Sequence, residues 1–143
     1  MATEVPRERA VGIFKPSQED KLKARKRRVN FRDMRPGMSD EHLSCIRKLP
    51  CCICLRMPGF DPHHLKDTPD KERGMSLRST DKWTVPMCEQ HHIYGVELAG
   101  TRNELKWFSD RGVQALSLAK ALWGATGDVP KMIKIVLAHR GMK

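Results

Sequence analysis

The chain has 143 residues, enough for one domain with a modest core but not for two. Its hydrophobic content is 39% and its charged content 31%, so either part of it is disordered or something besides apolar burial holds the fold. A net charge of +10 favours a polyanionic partner, nucleic acid, over a neutral metabolite. No apolar run approaches the roughly 20 residues needed to span a bilayer. Met1 to Ala10 carries charges without an apolar stretch, so the expectation is a cytoplasmic protein without a membrane partner. The five cysteines then belong to a reducing compartment, where clustered thiols more often hold metal than form disulfides. Their odd number excludes a framework that pairs every one within the chain.

Residues 1 to about 40 read as a disordered basic arm, and residues 41–143 as the folded domain. Lys21 to Arg35 holds eight Lys or Arg against one Asp, a balance of +7. Its apolar residues Leu22, Val29, Phe31 and Met34 follow no helical or strand period. Such density, with Lys23, Arg25, Lys26, Arg27 and Arg28 at its centre, suits phosphate contacts through counterion release, or else a solvated tail. Ser39 and His42 to Arg47 read as a short helix capped by Ser39 or Asp40 and ending before Pro50. Trp83, Val85 and Met87 alternate as a strand does. Residues 90 to 98 start a helix. Leu105 and Phe108 lie one helical turn apart, and Ala115, Leu118, Ala119 and Leu122 follow the i, i+3, i+4, i+7 pattern. Asp128 caps a last helix with Pro130 in its first turn and Met132, Ile133, Val136 and Leu137 as its apolar stripe. Gly112, Gly124 and Gly141 are plausible helix stops. Trp107 and Trp123 read as core.

The chemistry is concentrated between Cys51 and His92. Cys51 and Cys54 form a C-x-x-C, and Cys88 and His91 a C-x-x-H. Each short turn delivers two ligands to one side of an ion, so the four together predict a tetrahedral zinc site. If residue 88 opens a helix, residues 88 and 91 share a face. Cys45 is left as a core residue of the preceding helix, and Cys52 cannot join the ion without straining the turn. Two histidine doublets, His63-His64 and His91-His92, flank the knuckles. Adjacent residues point to opposite faces of a strand and about 100° apart on a helix, so His63, His64 and His92 are either a second metal-centred group or polar surface residues.

The order C-x-x-C, His-His-Leu, a strand ending Val-Pro-Met-Cys, then x-x-His-His resembles the HNH endonucleases, and more narrowly their phage-encoded recombination-enhancement branch. The similarity runs from about Ile46 to Trp123, including Gly-Met-Ser-Leu-Arg at 74–78 and Ala-Leu-Trp at 121–123. The resemblance implies an α+β fold with a zinc-stapled ββα-metal core, here followed by extra C-terminal helices. It implies one catalytic divalent ion, Mg²⁺ or Mn²⁺, with His63 and His92 as metal ligands and His64 as general base. A phosphodiester needs a water deprotonated in line and a cation against the growing charge, and imidazole, with a pKa near 6.5, suits the base. Lys66, Arg73, Arg78 and Lys82 are either phosphate contacts or solvated loop charges. Two departures stand out. Where the family often supports its base with Asn, Trp83 occupies the usual offset, and Asp81 is the best substitute. Where relatives often place a further His four residues past the doublet, Val96 stands with Glu97 beside it, so the third metal ligand is left open. The function expected is metal-dependent cleavage of DNA. The alternative is a non-catalytic zinc module that binds DNA or RNA.

Overall fold

The structure, a computed structural model, describes Ser17 and residues 35–59, 61–70 and 79–142. The chain divides into Met1–Asn30 and Phe31–Lys143, and everything below concerns the second unit. Lys23, Arg25, Lys26, Arg27, Arg28, Arg73 and Arg78, for which phosphate contacts were expected, lie outside the described residues.

The unit is α+β. In chain order come helix α1 (Asp40–Ile46), strand β1 (Asp61–His64), a 3₁₀ turn (Asp81–Trp83), strand β2 (Thr84–Met87), helix α2 (Glu89–His91), a π turn (His92–Val96), helix α3 (Glu97–Ala99), a 3₁₀ turn (Thr101–Asn103), and helices α4 (Glu104–Ser109), α5 (Ala115–Gly124) and α6 (Val129–His139). β1 and β2 are antiparallel, with His63 opposite Val85 and His64 opposite Thr84. No helix among the described residues is long and apolar enough to cross a membrane.

Local chemistry accounts for most boundaries. The Ser39 side chain accepts from His42 N–H and caps α1, and Asp128 does the same for α6 through Lys131 N–H. Gly141 ends the chain's last helix with φ +71°, and Gly112 turns the chain after α4 with φ +75°. Gly124 is instead the last residue of α5. The alternation expected at Trp83, Val85 and Met87 is not what forms. Trp83 sits in the 3₁₀ turn, and all four residues of β2 are buried, because α1 and α5 both pack on the strand.

One apolar core joins Ile46 and Leu49 from α1 and its exit, Leu65, Val85 and Met87 from the hairpin, Phe108 from α4, Leu118 and Leu122 from α5, and Met132 and Val136 from α6. Cys45 and Cys52 belong to it. Trp107 is only half-buried against this core, and Trp123 lies half-buried at its edge with its ring 4.9 Å from that of His42.

The folded unit reaches upstream of residue 40. Gly37 O accepts from Lys82 N–H at 3.2 Å, and Ser39 N–H donates to Asp81 Oδ2 at 2.9 Å. Gly37 has φ +77°, and a Cβ there would meet Thr80 Cβ at 2.9 Å, so this crossing needs glycine. Residues 37–39 are therefore fastened to the turn before β2.

His42 is fully buried between Thr126 Oγ1 (2.7 Å from Nδ1) and Thr84 Oγ1 (3.1 Å from Nε2). Burial lowers its pKa from 6.5 to about 4, against the opposing pull of Asp81, so the ring is neutral in the fold. The unfolded chain takes up a proton as pH falls below 6.5, while the folded chain does so only near 4. Stability attributable to His42 is thus complete above pH 6.5 and lost between there and about 4, at most about 3 kcal/mol. Urea unfolding at pH 7, 5 and 4 should show His42→Gln losing correspondingly less stability than the unaltered protein over that window. Parallel losses in the two proteins would refute the assignment.

Candidate metal centres

The first centre is assembled where the loop after α1 meets the start of α2. Cys51 to Cys54 make a tight turn, closed by Leu55 N–H donating to Cys51 O at 2.9 Å. Cys52 N–H donates to Pro86 O at 2.9 Å, which fastens this turn to β2 and points the Cys52 side chain into the core. Cys88 stands at the N-cap of α2, so its side chain and that of His91 come together one helical turn apart. Cys54 Sγ lies 3.8 Å from Cys88 Sγ, Cys51 Sγ 3.8 Å from His91 Nδ1, and Cys88 Sγ 3.2 Å from the same nitrogen. All four donor atoms fall within 4.8 Å of one another. A tetrahedron with metal–sulfur bonds of about 2.3 Å has edges of about 3.8 Å, so this donor set fits a metal ion. All five cysteines are free thiols.

Protonation follows the surroundings. Burial pushes the Cys51 thiol up to about 11, with backbone hydrogen bonds offsetting part of the effect. At Cys88 burial acts in the same direction but is outweighed by the His91 amide and the neighbouring sulfurs, which hold the thiol below its ordinary value. Burial, then the charges of Arg111 and Arg56, lower the His91 pKa and favour the neutral ring a metal requires.

The second centre lies at the end of β1. Successive strand residues face opposite ways, so His63 is buried and His64 half-buried. His63 Nε2–H donates to Glu104 Oε1 at 2.8 Å, leaving Nδ1 facing Glu97 Oε1 at 3.5 Å. His92 Nδ1–H donates to Asp61 Oδ2 at 3.3 Å, leaving Nε2 facing Glu97 Oε1 at 3.6 Å. The rings of His63 and His92 meet edge-on at 5.0 Å. His63 Nδ1, His92 Nε2 and Glu97 Oε1 therefore converge within 4.8 Å of one another, and each histidine is oriented from behind by a carboxylate. That donor set suits a hard or borderline divalent cation.

Glu104 is 1% exposed. Burial opposes its charge, but the His63 hydrogen bond and the amides of Lys66 (2.7 Å) and Asp67 (3.2 Å) outweigh it and keep the carboxyl below its usual range. Glu97 is also lowered, as Lys66 Nζ at 2.6 Å and the two histidines overcome its burial. On the other strand face His64 Nε2–H donates to Asp81 Oδ1 at 2.8 Å. This fixes the tautomer with the lone pair on Nδ1. Asp81 is fully buried, and its second oxygen accepts from Ser39 N–H. A cleft of about 270 Å³ is lined by Pro62, His63, His64, Lys66, Ser79, His92 and Glu97.

The structure thus gathers Cys51, Cys54, Cys88 and His91 in one group, and His63 and His92 in another with His64 at its edge and Asp81 behind His64. Lys66 is at the cleft, whereas Lys82 stacks on Trp83 at 5.0 Å. Sequence reasoning left the third ligand open and missed Glu104 and Asp61. The available signals were Glu104 one turn before the buried Phe108 on the same helix face, and Asp61 two residues before His63 on the same strand face.

No curated protein and no solved structure matches the chain. Residues 32–126 match a family described as a protein of unknown function, DUF968. That span covers all the residues of both centres and the Gly37–Lys82 and Ser39–Asp81 contacts, and the chain belongs to the DUF968 family.

Proposed function

We propose that the protein is a metal-dependent nuclease that hydrolyses phosphodiester bonds in DNA, its fold stapled by zinc on Cys51, Cys54, Cys88 and His91. The observation that carries this reading is the juxtaposition of an oriented base, His64 on Asp81, with three converging ligand atoms in one cleft. The order β1, β2, α2 agrees with the ββα arrangement of the HNH nucleases that the motif resembles.

His63, His92 and Glu97 would hold Mg²⁺ or Mn²⁺, which when bound supplies positive charge against that growing on the phosphate. His64 Nδ1 would take the proton of the attacking water as its oxygen bonds phosphorus and the ester bond to the 3′ oxygen breaks, that oxygen leaving as a 3′-hydroxyl protonated from solvent. Asp81 holds that ring in one tautomer and stabilises it once protonated. Lys66 Nζ, paired with Glu97 at the cleft, would offer its charge to a phosphate oxygen. The Ser79 hydroxyl, buried at the cleft and without a hydrogen-bond partner among the described residues, is a donor available to the same group. Asp81 differs from an asparagine in that role. Both its oxygens accept hydrogen bonds, so an amide could satisfy His64 or Ser39 N–H but not both.

Two measurements test the reading. Elemental analysis should find one tightly held zinc per chain, and chelation should collapse the melting transition. Cys54 is solvent-exposed, so Cys54→Ser removes little packing; unfolding of that variant would come from the metal. Cys45→Ser, in the core but outside the ligand set, should cost only about 1 kcal/mol or slightly more. A zinc-free protein with an unchanged melt would end this half of the reading.

Nicking of supercoiled plasmid with Mg²⁺ or Mn²⁺, against an EDTA control, tests the other half. His64→Ala should lower the rate by about 10²–10⁴ while leaving Mn²⁺ affinity and the melt unchanged. His63→Ala and His92→Ala should lose Mn²⁺ instead. Equal cleavage by the His64 variant would overturn the mechanism. No cleavage of DNA or RNA with any divalent ion would favour a nucleic-acid-binding module.

A further inference from the structure

His92 and Glu97 are five residues apart, a spacing that a regular helix cannot use for one cation. At 3.6 residues per turn, residues i and i+5 point about 140° apart, whereas i and i+4 are only about 40° apart. Yet His92 Nε2 and Glu97 Oε1 are separated by 3.6 Å. The π turn reconciles these facts. Glu97 N–H donates to His92 O, an i→i+5 bond that fits one more residue into the turn and brings Glu97 directly above His92. On either side the helix is α-helical, and Val96 still enters the core at 2% exposure. Tyr94 is turned out to solvent at 68%.

Such turns are rare and need support from their surroundings. Here the support is Trp107. A Cβ on Gly95 would meet Trp107 Cζ2 at 2.8 Å, so the indole lies flush against a backbone that only glycine permits. The indole is itself fixed. The Arg111 guanidinium stacks on it at 3.8 Å, Arg111 Nη1 donates to Trp107 O at 3.0 Å, and Phe108 meets it edge-on at 5.2 Å.

We propose that the π turn absorbs one extra residue and so gives Glu97 the place that the fourth residue after His92 would hold in a regular helix. Gly95 and Trp107 are its positioning residues. The proposal rests on the reading of His63, His92 and Glu97 as a divalent-cation site, and it makes that site tolerant of the departure at Val96. It also implies that the extra residue is dispensable. Removing Tyr94 leaves Gly95 under Trp107, Val96 in the core and Glu97 four residues after His92, in an unbroken α-helix.

The test titrates Mn²⁺ into the full-length protein carrying one equivalent of zinc, followed by electron paramagnetic resonance, with melting curves alongside. Glu97→Ala should weaken Mn²⁺ binding by at least about tenfold; if it does not, the underlying site reading fails, whatever the other variants do. Given that loss, deletion of Tyr94 should keep Mn²⁺ affinity within about threefold, whereas Gly95→Ala should weaken it about tenfold or more with the zinc-dependent melt retained. Loss of Mn²⁺ binding on deletion of Tyr94 would overturn the proposal while leaving the site reading intact. So would failure of that variant to fold, because a dispensable residue must tolerate removal. Unchanged affinity in Gly95→Ala would refute the role given to Gly95 and Trp107.

Discussion

The arrangement of the second centre depends on one buried negative charge. Glu104 enters the interior at the first turn of α4, which without compensation would cost several kcal/mol. Compensation comes from three donors that approach from the end of β1: the His63 ring and the amides of Lys66 and Asp67. A single carboxylate therefore sets the His63 tautomer and holds the backbone from which Lys66 projects. Replacing it with an apolar residue would leave those donors unmatched, so the charge cannot be removed alone.

Helix α2 and the π turn that follows it serve both centres. The adjacent side chains His91 and His92 leave the helix in different directions, one toward the sulfurs of Cys51 and Cys88 and the other toward His63. One peptide bond thus joins two donor sets. Whatever fixes the Cys88–His91 end of this segment also fixes the bearing of His92, which ties the geometry of the second centre to that of the cysteine group. The adjoining cleft inherits its shape from the same short stretch of backbone.

Features written as local spacing were legible in the sequence. The two knuckles, the Ser39 and Asp128 caps, and the apolar periods of α5 and α6 each involve residues within a turn or two of one another. What escaped was long-range or register-dependent. Glu104 reaches His63 across 41 residues, and its place on the buried face of α4 marks it as interior without naming its partner. Glu97 looked misplaced because its position was judged on a regular helical period, which the π turn breaks. Trp83 fitted a two-residue alternation, yet burial of β2 on both faces removed the polar half of that pattern. Asp81 was singled out from its distance to the knuckle, but its attachment to Ser39 had no signal in the sequence.

That attachment determines where the domain can be cut. Judged by composition, the basic segment ends near residue 40 and could be trimmed there as a tag would be. In the fold, such a cut would remove the α1 cap, the glycine crossing at Thr80 and the amide that holds the far oxygen of Asp81. A chain started at residue 40 would keep every cysteine and histidine of both centres but leave the His64 partner half-anchored. Any property lost with such a cut would therefore be misread as evidence about the basic residues. The informative boundary lies ahead of Gly37, where the charges can be taken away and the anchorage of Asp81 left in place.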